Sequence, residues 1–217
     1  MRWSFLEGVP EEDRRRLLAA THRRRFARRE VLFHEGDPGD TVHLLDRGRV
    51  AVRITTPLGD VATLRVRGAG SVIGELALLG AVSRRTATVI ALEKTETLSL
   101  HRDQFAELRA QHPTVDDFLV NVLAEEVARL SGLLVEALYV PVDVRVVRRL
   151  VELVADYQDG ESAVEIPLTQ EDLASLAGTS RATVNRVVGE AGKAGLVELR
   201  RGRIIVLDPD RLAARAR

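Results

Sequence analysis

The periodicity of hydrophobic and polar residues differs between successive parts of the chain. Residues 10–28 carry Leu17 and Leu18 as an apolar stripe among arginines, which predicts a helix with a solvated basic face. From about Val31 to Leu100, short alternating or β-branched runs are separated by turn sequences such as GDPGD and DRG. Several short strands at near-regular spacing predict a small antiparallel barrel or sandwich.

A mostly helical region follows the strands. A short helix is predicted over residues 102–110, and a long helical pattern runs from about Thr114 to Leu138. Apolar residues recur in the long helix at heptad spacing, which predicts a seam between two chains. The alternative is an amphipathic helix that packs on its own domain. The predicted seam residues are Val120, Leu123, Val127, Leu130 and Leu134.

Pro141 ends the long helix, so a hinge is predicted near residues 139–142. Beyond it, the pattern predicts a helix over residues 142–157, a strand in AVEIPL, two further helices, and a β-hairpin in LVELRRGRIIVLD. The predicted organisation is a β-domain over 1–113, a long helix and hinge over 114–141, and a C-terminal domain over 142–217.

The stretch LTQEDLASLAGTSRATVNRVVGEAGKAGLV, residues 168–197, has the pattern of a helix-turn-helix. Thr169 is a predicted N-cap with Asp172 three residues later, which makes an imperfect capping box. Ser180, or Thr179 beside it, is predicted to cap the second helix. This second helix would be the one that enters the major groove of DNA.

The outer face of the second helix carries the candidates for reading DNA, since Val184, Val187 and Val188 would bury its inner face. The alternative is a plain three-helix core with surface arginines, which predicts acids among the bases; none occurs between Gly178 and Gly189. Arginines on the following hairpin suit phosphate contacts. The predicted DNA-binding residues are Thr169, Ser180, Arg181, Ala182, Thr183, Asn185, Arg186 and Arg201.

A glycine, an acid and a paired base lie close together in GELALLGAVSRRTATV, residues 74–89. If residues 74–80 form one helical turn after a strand, its main-chain N–H groups favour an anion. Glu75 could accept a hydrogen bond from a sugar hydroxyl, and Arg85 could return to neutralise a phosphate. These residue types predict a cyclic nucleotide as ligand. The alternative is a structural Glu75–Arg85 ion pair.

Composition narrows the classes of function. The 217-residue chain has a formal net charge of zero, no apolar run of about 20 residues and no signal-peptide core, so a cytoplasmic protein without a membrane partner is predicted. It has no cysteine, and its five histidines lack metal-ligand spacing, so no metal site is expected. Scattered histidines and lone acids offer no nucleophile–base pair, so an enzyme is not expected.

Arginine supplies nearly all the positive charge, since Lys94 and Lys193 are the only lysines. Arginine suits bidentate phosphate contacts. A GC-rich genome or a hot habitat explains the same bias.

The strand region with GDPGD and DRG, followed by GELALL and RRTATV, resembles a cyclic-nucleotide-binding domain with its phosphate-binding cassette. With the long helix, the hinge and the SRATVNR helix, the chain resembles the cAMP receptor protein/FNR family of bacterial transcription regulators over about residues 5–207. The resemblance implies an α+β fold with an N-terminal antiparallel β-roll, a long dimerisation helix and a C-terminal winged helix-turn-helix domain. It implies cAMP as effector, with cGMP left open, and double-stranded DNA, a second copy of the chain and RNA polymerase as partners.

The resemblance also assigns roles to particular residues. Gly74 and Glu75 would hold the ribose and phosphate, and Arg85 would clamp the cyclic phosphate. Arg181 and Arg186 fall on the two base-reading arginines of the family. The implied ligand-binding residues are Gly74, Glu75, Leu76, Ala77, Arg85, Thr86 and Ser131, the last reaching the adenine from the partner subunit.

Three positions depart from the family pattern. Leu130 stands where the cAMP receptor has a threonine that bonds the adenine, and leucine can neither donate nor accept a hydrogen bond. Thr86 replaces a serine, in a context similar to that of channels that accommodate cGMP. Ala182 replaces an acid that reads cytosine, so sequence choice is expected to relax there.

Two other functions stay open. The chain could be the same DNA-binding regulator without an effector, or with a different small molecule as effector. It could also be a cyclic-nucleotide-binding module that regulates a partner without touching DNA. Cluster sensing of the FNR type is excluded because the chain has no cysteine.

Overall fold

The computed structural model describes residue 3 and residues 6–79, 83–158 and 162–216. Their contacts separate the chain into two units, of which the first comprises Met1–Ile54 with Arg65–Leu130 and the second comprises Thr55–Leu64 with Ser131–Arg217. The three segments predicted from the sequence stay a prediction.

The first unit contains most of the strands. They form two four-stranded sheets with the orders β1-β8-β3-β6 and β2-β7-β4-β5. The elements up to the long helix are α1 Glu11–Ala19, β1 His22–Phe26, β2 Val31–Phe33, β3 Thr41–Arg47, β4 Val50–Thr55, β5 Val61–Arg67, β6 Val72–Ile73, α2 Leu76–Leu79, β7 Thr88–Ala91, β8 Thr95–His101, α3 Arg102–Gln111 and α4 Pro113–Tyr139.

One of two core clusters of this unit lies where α1, α3 and the start of α4 cover the sheet that contains β3 and β8. Leu44 and Leu100 are fully buried on these two strands, and Phe105 packs there from α3. The strands pair antiparallel, with Leu44 opposite Leu98. Trp3 is buried at the edge of the same cluster and donates from Nε1 to the main-chain oxygen of Leu45 at 3.2 Å.

The helix predicted over residues 10–28 is wrong in its second half. α1 ends at Ala19, and residues His22–Phe26 form β1, which pairs antiparallel with β8. In this pairing, Arg23 and Arg25 both bind Glu96 on the neighbouring strand. Pairing with β8 overrides the local preference of an arginine-rich run for helix.

The second unit packs four helices around a three-stranded sheet with the order β10-β11-β9. Leu150, Leu173, Val184 and Ile204 are almost fully buried in it. Its elements are α5 Val142–Tyr157, β9 Val164–Ile166, α6 Gln170–Ala177, α7 Arg181–Lys193, β10 Val197–Arg200, β11 Arg203–Val206 and α8 Pro209–Ala214.

The segment Thr55–Leu64, from the end of β4 into the first half of β5, belongs to the second unit by its contacts. There the Ser175 hydroxyl donates to the main-chain oxygen of Val61 at 2.7 Å and lies 2.8 Å from the Thr63 hydroxyl.

The predicted helices after residue 101 and the predicted strands after residue 163 are confirmed within a residue or two. An antiparallel β-domain, a long helix and a C-terminal helical domain with a small sheet confirm the predicted fold class. Within the described part of the chain, no helix has the length and apolarity that a bilayer crossing requires.

Candidate functional site

The cassette GELALLGAVSRRTATV begins with a tight turn. β6 leads into Gly74, whose φ is +86°, and the main-chain oxygen of Glu75 then accepts two N–H groups from α2. Because α2 begins only at Leu76, the helical turn predicted from Gly74 to Gly80 is wrong at its start, and Gly80 lies outside the described residues. A single turn carries little helix dipole, so an anion contact here rests on side chains and individual N–H groups.

Arg85 occupies the centre of the cassette and is only 5% exposed. Its Nη1 donates to the main-chain oxygens of Thr41 at 2.7 Å and Gly74 at 3.2 Å, and its Nη2 donates to Oγ1 of Thr41 at 2.9 Å. Its Cζ lies 4.1 Å from the centre of the Phe33 ring, a cation–π contact. Among the described residues, the buried Nε has no hydrogen-bond partner. Three of the five N–H groups of the guanidinium thus hold it in position.

The charge of Arg85 is not neutralised by direct contact. Burial lowers the pKa of Arg85, and the negative charges of Asp40, Asp37 and Glu75 raise it. Among the described residues, no carboxylate forms an ion pair with this guanidinium, so the alternative of a structural Glu75–Arg85 pair finds no support. A buried cation without a carboxylate partner favours an anionic ligand.

Glu75 lies in a mixed electrostatic environment. Burial raises the pKa of its carboxyl group, main-chain hydrogen bonds and the charge of Arg67 lower it, and the charge of Glu126 raises it. Burial lowers the pKa of Arg67 in turn. Arg67 was not expected at the site from the sequence, although the alternation in LRVR places Arg65 and Arg67 on one face of a strand.

A cluster of three charges joins β5 to α4. The carboxylate of Glu126 accepts hydrogen bonds from Arg65 at 2.6 Å and from Arg129 at 2.5 Å. The hydrogen bond from Arg129, and to a smaller extent that from Arg65, lowers the pKa of Glu126 to about 2. Glu126 therefore stays ionised and adds a fixed negative charge to the surroundings of Glu75.

Other predicted ligand residues fall into two groups. Ala77 is buried, and its main-chain oxygen accepts a hydrogen bond from Nη2 of Arg102 at 3.0 Å. The same Nη2 atom of Arg102 also donates to the main-chain oxygen of Gly39 at 2.5 Å. Leu76 and Thr86 are exposed. The structure therefore gives Ala77 a packing position, whereas Thr86 is an exposed residue directly after Arg85.

The predicted seam lies along one helix, α4. Val120, Val127, Leu130 and Leu134 are all exposed large apolar residues, and Leu123 is half-buried. Ser131 is also exposed on this helix. The reach of Ser131 to a ligand in a partner subunit stays a prediction.

The helix-turn-helix forms as its local signals predict. Thr169 caps α6 in a complete capping box: its main-chain N–H donates to Asp172 at 2.8 Å, and the N–H of Asp172 donates back to Oγ1 at 3.1 Å. Gly178 ends α6 with a φ of +59°. Ser180 caps α7 by accepting from the N–H of Thr183 at 3.2 Å, so Ser180 and not Thr179 is the cap.

The outer face of α7 presents Arg181, Ala182, Asn185 and Arg186 to solvent, as expected from the sequence. The inner face is closed by Val184, Val187 and Val188, all buried. Arg186 donates to Glu190 at 3.1 Å, one turn further on. This pair is exposed at both ends, so it contributes little to stability and can exchange for a phosphate or a base.

An additional contact crosses between the two helices of the motif. Nε2 of Gln170, the first residue of α6, donates to Oδ1 of Asn185 on α7 at 3.1 Å. Gln170 was not expected at this surface from the sequence.

The hairpin after α7 carries three arginines at and beside its turn. Arg200 binds Glu198 at 2.8 Å, and Arg203 binds Glu165 at 2.8 Å. The exposed Arg201, at the tip, forms no ion pair with any described residue. Arg201 is thus the hairpin arginine whose charge is most available to a phosphate, and its role as a DNA contact stays a prediction.

Two protein families match the chain. Residues 23–112 match the cyclic nucleotide-binding domain, and residues 144–215 match the Crp-like helix-turn-helix domain. These matches support the two motifs in the order that the sequence predicts.

Relatives and solved structures agree with these matches. The chain is 30% identical over 195 residues to a CRP-like cAMP-activated global transcriptional regulator of Mycobacterium tuberculosis, covering 88% of this chain and 87% of that protein. It is also 30% identical over 202 residues to the cyclic AMP receptor protein of Thermus thermophilus, covering 93% and 91%. The fold is similar to that of a c-di-GMP responsive global regulator of Xanthomonas campestris, with a TM-score of 0.77, 22% identity and coverage of 91% and 99%.

Proposed function

Since the chain belongs to the cAMP receptor protein/FNR family of bacterial transcription regulators, we propose that it is a homodimer whose binding to a palindromic DNA site is controlled by cAMP. As a family member it is a cyclic-nucleotide-binding, DNA-binding transcription regulator and not an enzyme. The choice of cAMP, the dimer and the control mechanism are the proposal.

The observation that carries the proposal is the state of Arg85. A guanidinium that is 5% exposed, held by Thr41 and Gly74, and unpaired with any described carboxylate is prepared for an anion. A cyclic phosphate has one negative charge and would add a direct partner for this cation. Glu75 would accept a hydrogen bond from the ribose, and Thr86 would donate to the phosphate.

The ligand is proposed to be cAMP and not cGMP on the strength of the relatives. The relatives in Mycobacterium tuberculosis and Thermus thermophilus bear names that refer to cAMP. Thr86 and Leu130 are the positions of this chain that bear on the choice of purine.

The dimer is proposed from the exposed apolar stripe on α4. Val127 and Leu134 lie one heptad apart and are 64% and 62% exposed in the single chain. Apolar residues at a and d positions of a long helix are stabilised by a matching helix from a second chain. A two-fold dimer would place two recognition helices on half-sites about 34 Å apart.

Control by the ligand requires two states of different DNA affinity. For a shift from about 1% to about 99% active, cAMP must bind the active state more tightly by about 5.5 kcal/mol. Leu130 on the seam would supply apolar contact without a ligand, so the ligand-free protein is expected to retain partial specific DNA binding. Absence of specific binding by the ligand-free protein at every concentration would contradict this expectation.

Calorimetric titration of cAMP and cGMP into the native protein, Arg85→Ala and Arg84→Ala tests the ligand. Arg84 is the matched control because it is exposed and, among the described residues, its side chain donates only to the main-chain oxygen of Gly36, at 2.7 Å. We expect cAMP to bind the native protein and Arg84→Ala alike, and to bind Arg85→Ala at least about 100-fold more weakly, since a charged hydrogen-bonded pair is lost. No heat with either nucleotide on the native protein would overturn the cyclic-nucleotide proposal.

DNA binding is tested by selection from a random duplex library with cAMP present, followed by fluorescence anisotropy on the selected duplex. Arg181→Ala is expected to reduce discrimination at one base pair of each half-site by roughly 5- to 100-fold. If the native protein enriches no sequence, the non-DNA regulatory module becomes the better description.

A further inference from the structure

Between Arg181 and Arg186, the outer face of α7 exposes one apolar side chain, Ala182, and one amide side chain, Asn185. Arg181 and Arg186 suit guanine, whose major-groove edge presents two acceptors. Ala182 offers a base edge no hydrogen bond. Asn185 is exposed, one helical turn from Arg181 and Ala182, and is the neutral hydrogen-bonding side chain on this part of the face.

Asn185 accepts a hydrogen bond from Gln170, which lies on the other helix of the motif. Nε2 of Gln170 lies 3.1 Å from Oδ1 of Asn185, and the two residues are 15 positions apart in the chain. Each is held by a well-formed helix: Gln170 follows the capping residue Thr169, and Asn185 lies in the second turn of α7, which Ser180 caps. The pair therefore links the start of α6 to the exposed face of α7.

The bond leaves the capacity of Asn185 for a base intact. Its Oδ1 has two lone pairs, of which Gln170 uses one, and its Nδ2 retains both hydrogens. Recognition of adenine by asparagine needs one acceptor for N6–H and one donor for N7, in a single plane. An amide plane that a neighbouring amide holds in place loses less conformational entropy when it binds a base than a free side chain does.

We propose that Gln170 is a positioning residue that holds Asn185 to read one adenine in each half-site, between the base pairs read by Arg181 and Arg186. The inference rests on the proposed DNA binding and adds to it a specific base and a residue that acts through another. Asn185 would contact the base, whereas Gln170 would fix the plane of its amide.

The proposal predicts effects confined to a single base pair. Anisotropy is measured with the full-length protein and cAMP on the selected duplex, and on duplexes with each base pair changed in turn. Asn185→Ala is expected to reduce the preference for adenine at one position by roughly 5- to 100-fold, as for a lost bidentate contact, and to leave the preferences set by the arginines unchanged.

Gln170→Met keeps the length of the side chain but removes the donor. Gln170→Met is expected to reduce the adenine preference at the same position by about two- to tenfold, as for one lost hydrogen bond. In a protein that already carries Asn185→Ala, the same substitution is expected to leave the base preference at this position unchanged. Thermal unfolding of the variants should match that of the native protein, because Asn185 is exposed and Gln170 is only half-buried.

The outcomes separate this inference from the proposed function. If the native protein enriches no sequence, both fail. If it enriches a site but Asn185→Ala leaves every base preference unchanged, or the lost preference is not for adenine, only the inference is overturned. A uniform loss of affinity in Gln170→Met across all duplexes would assign Gln170 to a phosphate contact and would also overturn it.

Discussion

A Cβ atom at position 74 would lie 2.4 Å from Nη1 of Arg85. The main-chain φ of Gly74 is +86°, a value that other residues rarely adopt. Gly74 therefore both makes the turn into the cassette and leaves room for the guanidinium beside it.

Gly74→Ala is predicted to weaken cAMP binding by more than about tenfold, because the guanidinium of Arg85 must move away from its place between Thr41 and Gly74. The free energy of unfolding should fall by about 1–3 kcal/mol from backbone strain. The matched control is Gly59→Ala, since Gly59 has a φ of +93° but open space around the position of a Cβ. Equal cAMP affinity in the two variants would show that the clash with Arg85 has no effect on the site.

His43 gives the first unit a predicted dependence of stability on pH. Burial lowers the pKa of His43 to about 4, with smaller effects in the same direction from Arg85 and Arg24 and an opposite one from Asp40. Because the folded-state pKa lies below the ordinary value of 6.5, the unfolded chain binds the proton first. Stability is then fully present above pH 6.5 and is lost as the pH falls towards 4.

Urea unfolding at pH 7.5 and pH 5 should reveal a loss of about 2 kcal/mol attributable to His43. His43→Gln keeps a partner for the Thr97 hydroxyl, which lies 3.1 Å from Nδ1, but cannot titrate. The variant should therefore lose about 2 kcal/mol less than the native protein over the same interval. An identical loss in both proteins would exclude His43 as the source.

The proposed seam can be tested against exposed apolar residues that lie off it. Leu134 is on the heptad and is 62% exposed, and its neighbour Val135 is off the heptad and is 56% exposed. Leu134→Asp is predicted to raise the dimer dissociation constant by at least about 100-fold, because the charge would be buried against the second helix. Sedimentation measurements should find Val135→Asp unchanged as a dimer. Dissociation by both substitutions alike would speak against a heptad seam.

A buried arginine in the middle of α5 binds a carboxylate on α4. Arg149 is 8% exposed and binds Glu136 on α4 as well as Glu152, one turn further along its own helix, at 2.6 Å. Glu136→Gln is predicted to lower the free energy of unfolding of the protein by about 2–4 kcal/mol, since it leaves a buried cation without its main partner. Glu152→Gln, at a carboxylate that is 58% exposed, should cost less than about 1 kcal/mol in the same chemical unfolding measurement.

Local signals in the sequence predicted the elements whose causes are local. Pro141 and the apolar periodicity after it predicted α5, which runs over the expected Val142–Tyr157. Thr169 and Asp172 predicted the start of α6, and aspartate completes the capping box as glutamate would. In each case the residues that determine the structure lie within one or two helical turns of one another.

The sequence pattern failed where the cause lies far away in the chain. β1 was predicted as helix because the acid that pairs with its arginines, Glu96, is about 70 residues away. The role of Arg85 was predicted from the cassette, but its anchor Thr41 lies 44 residues earlier. Nothing in the spacing of those residues indicates that they meet, because sheet pairing brings them together only in the folded chain.

Because the chain has only two lysines, amine-reactive dyes can label side chains at defined positions. Amine-reactive reagents have only two side-chain targets, Lys94 and Lys193, and both are exposed. Lys94 lies between β7 and β8 in the first unit, and Lys193 lies in the last turn of the recognition helix α7 in the second. A pair of fluorophores on these side chains can therefore test, without any engineered cysteine, whether cAMP changes the distance between Lys94 and Lys193, and each single Lys→Arg variant leaves one of the two side chains to be labelled.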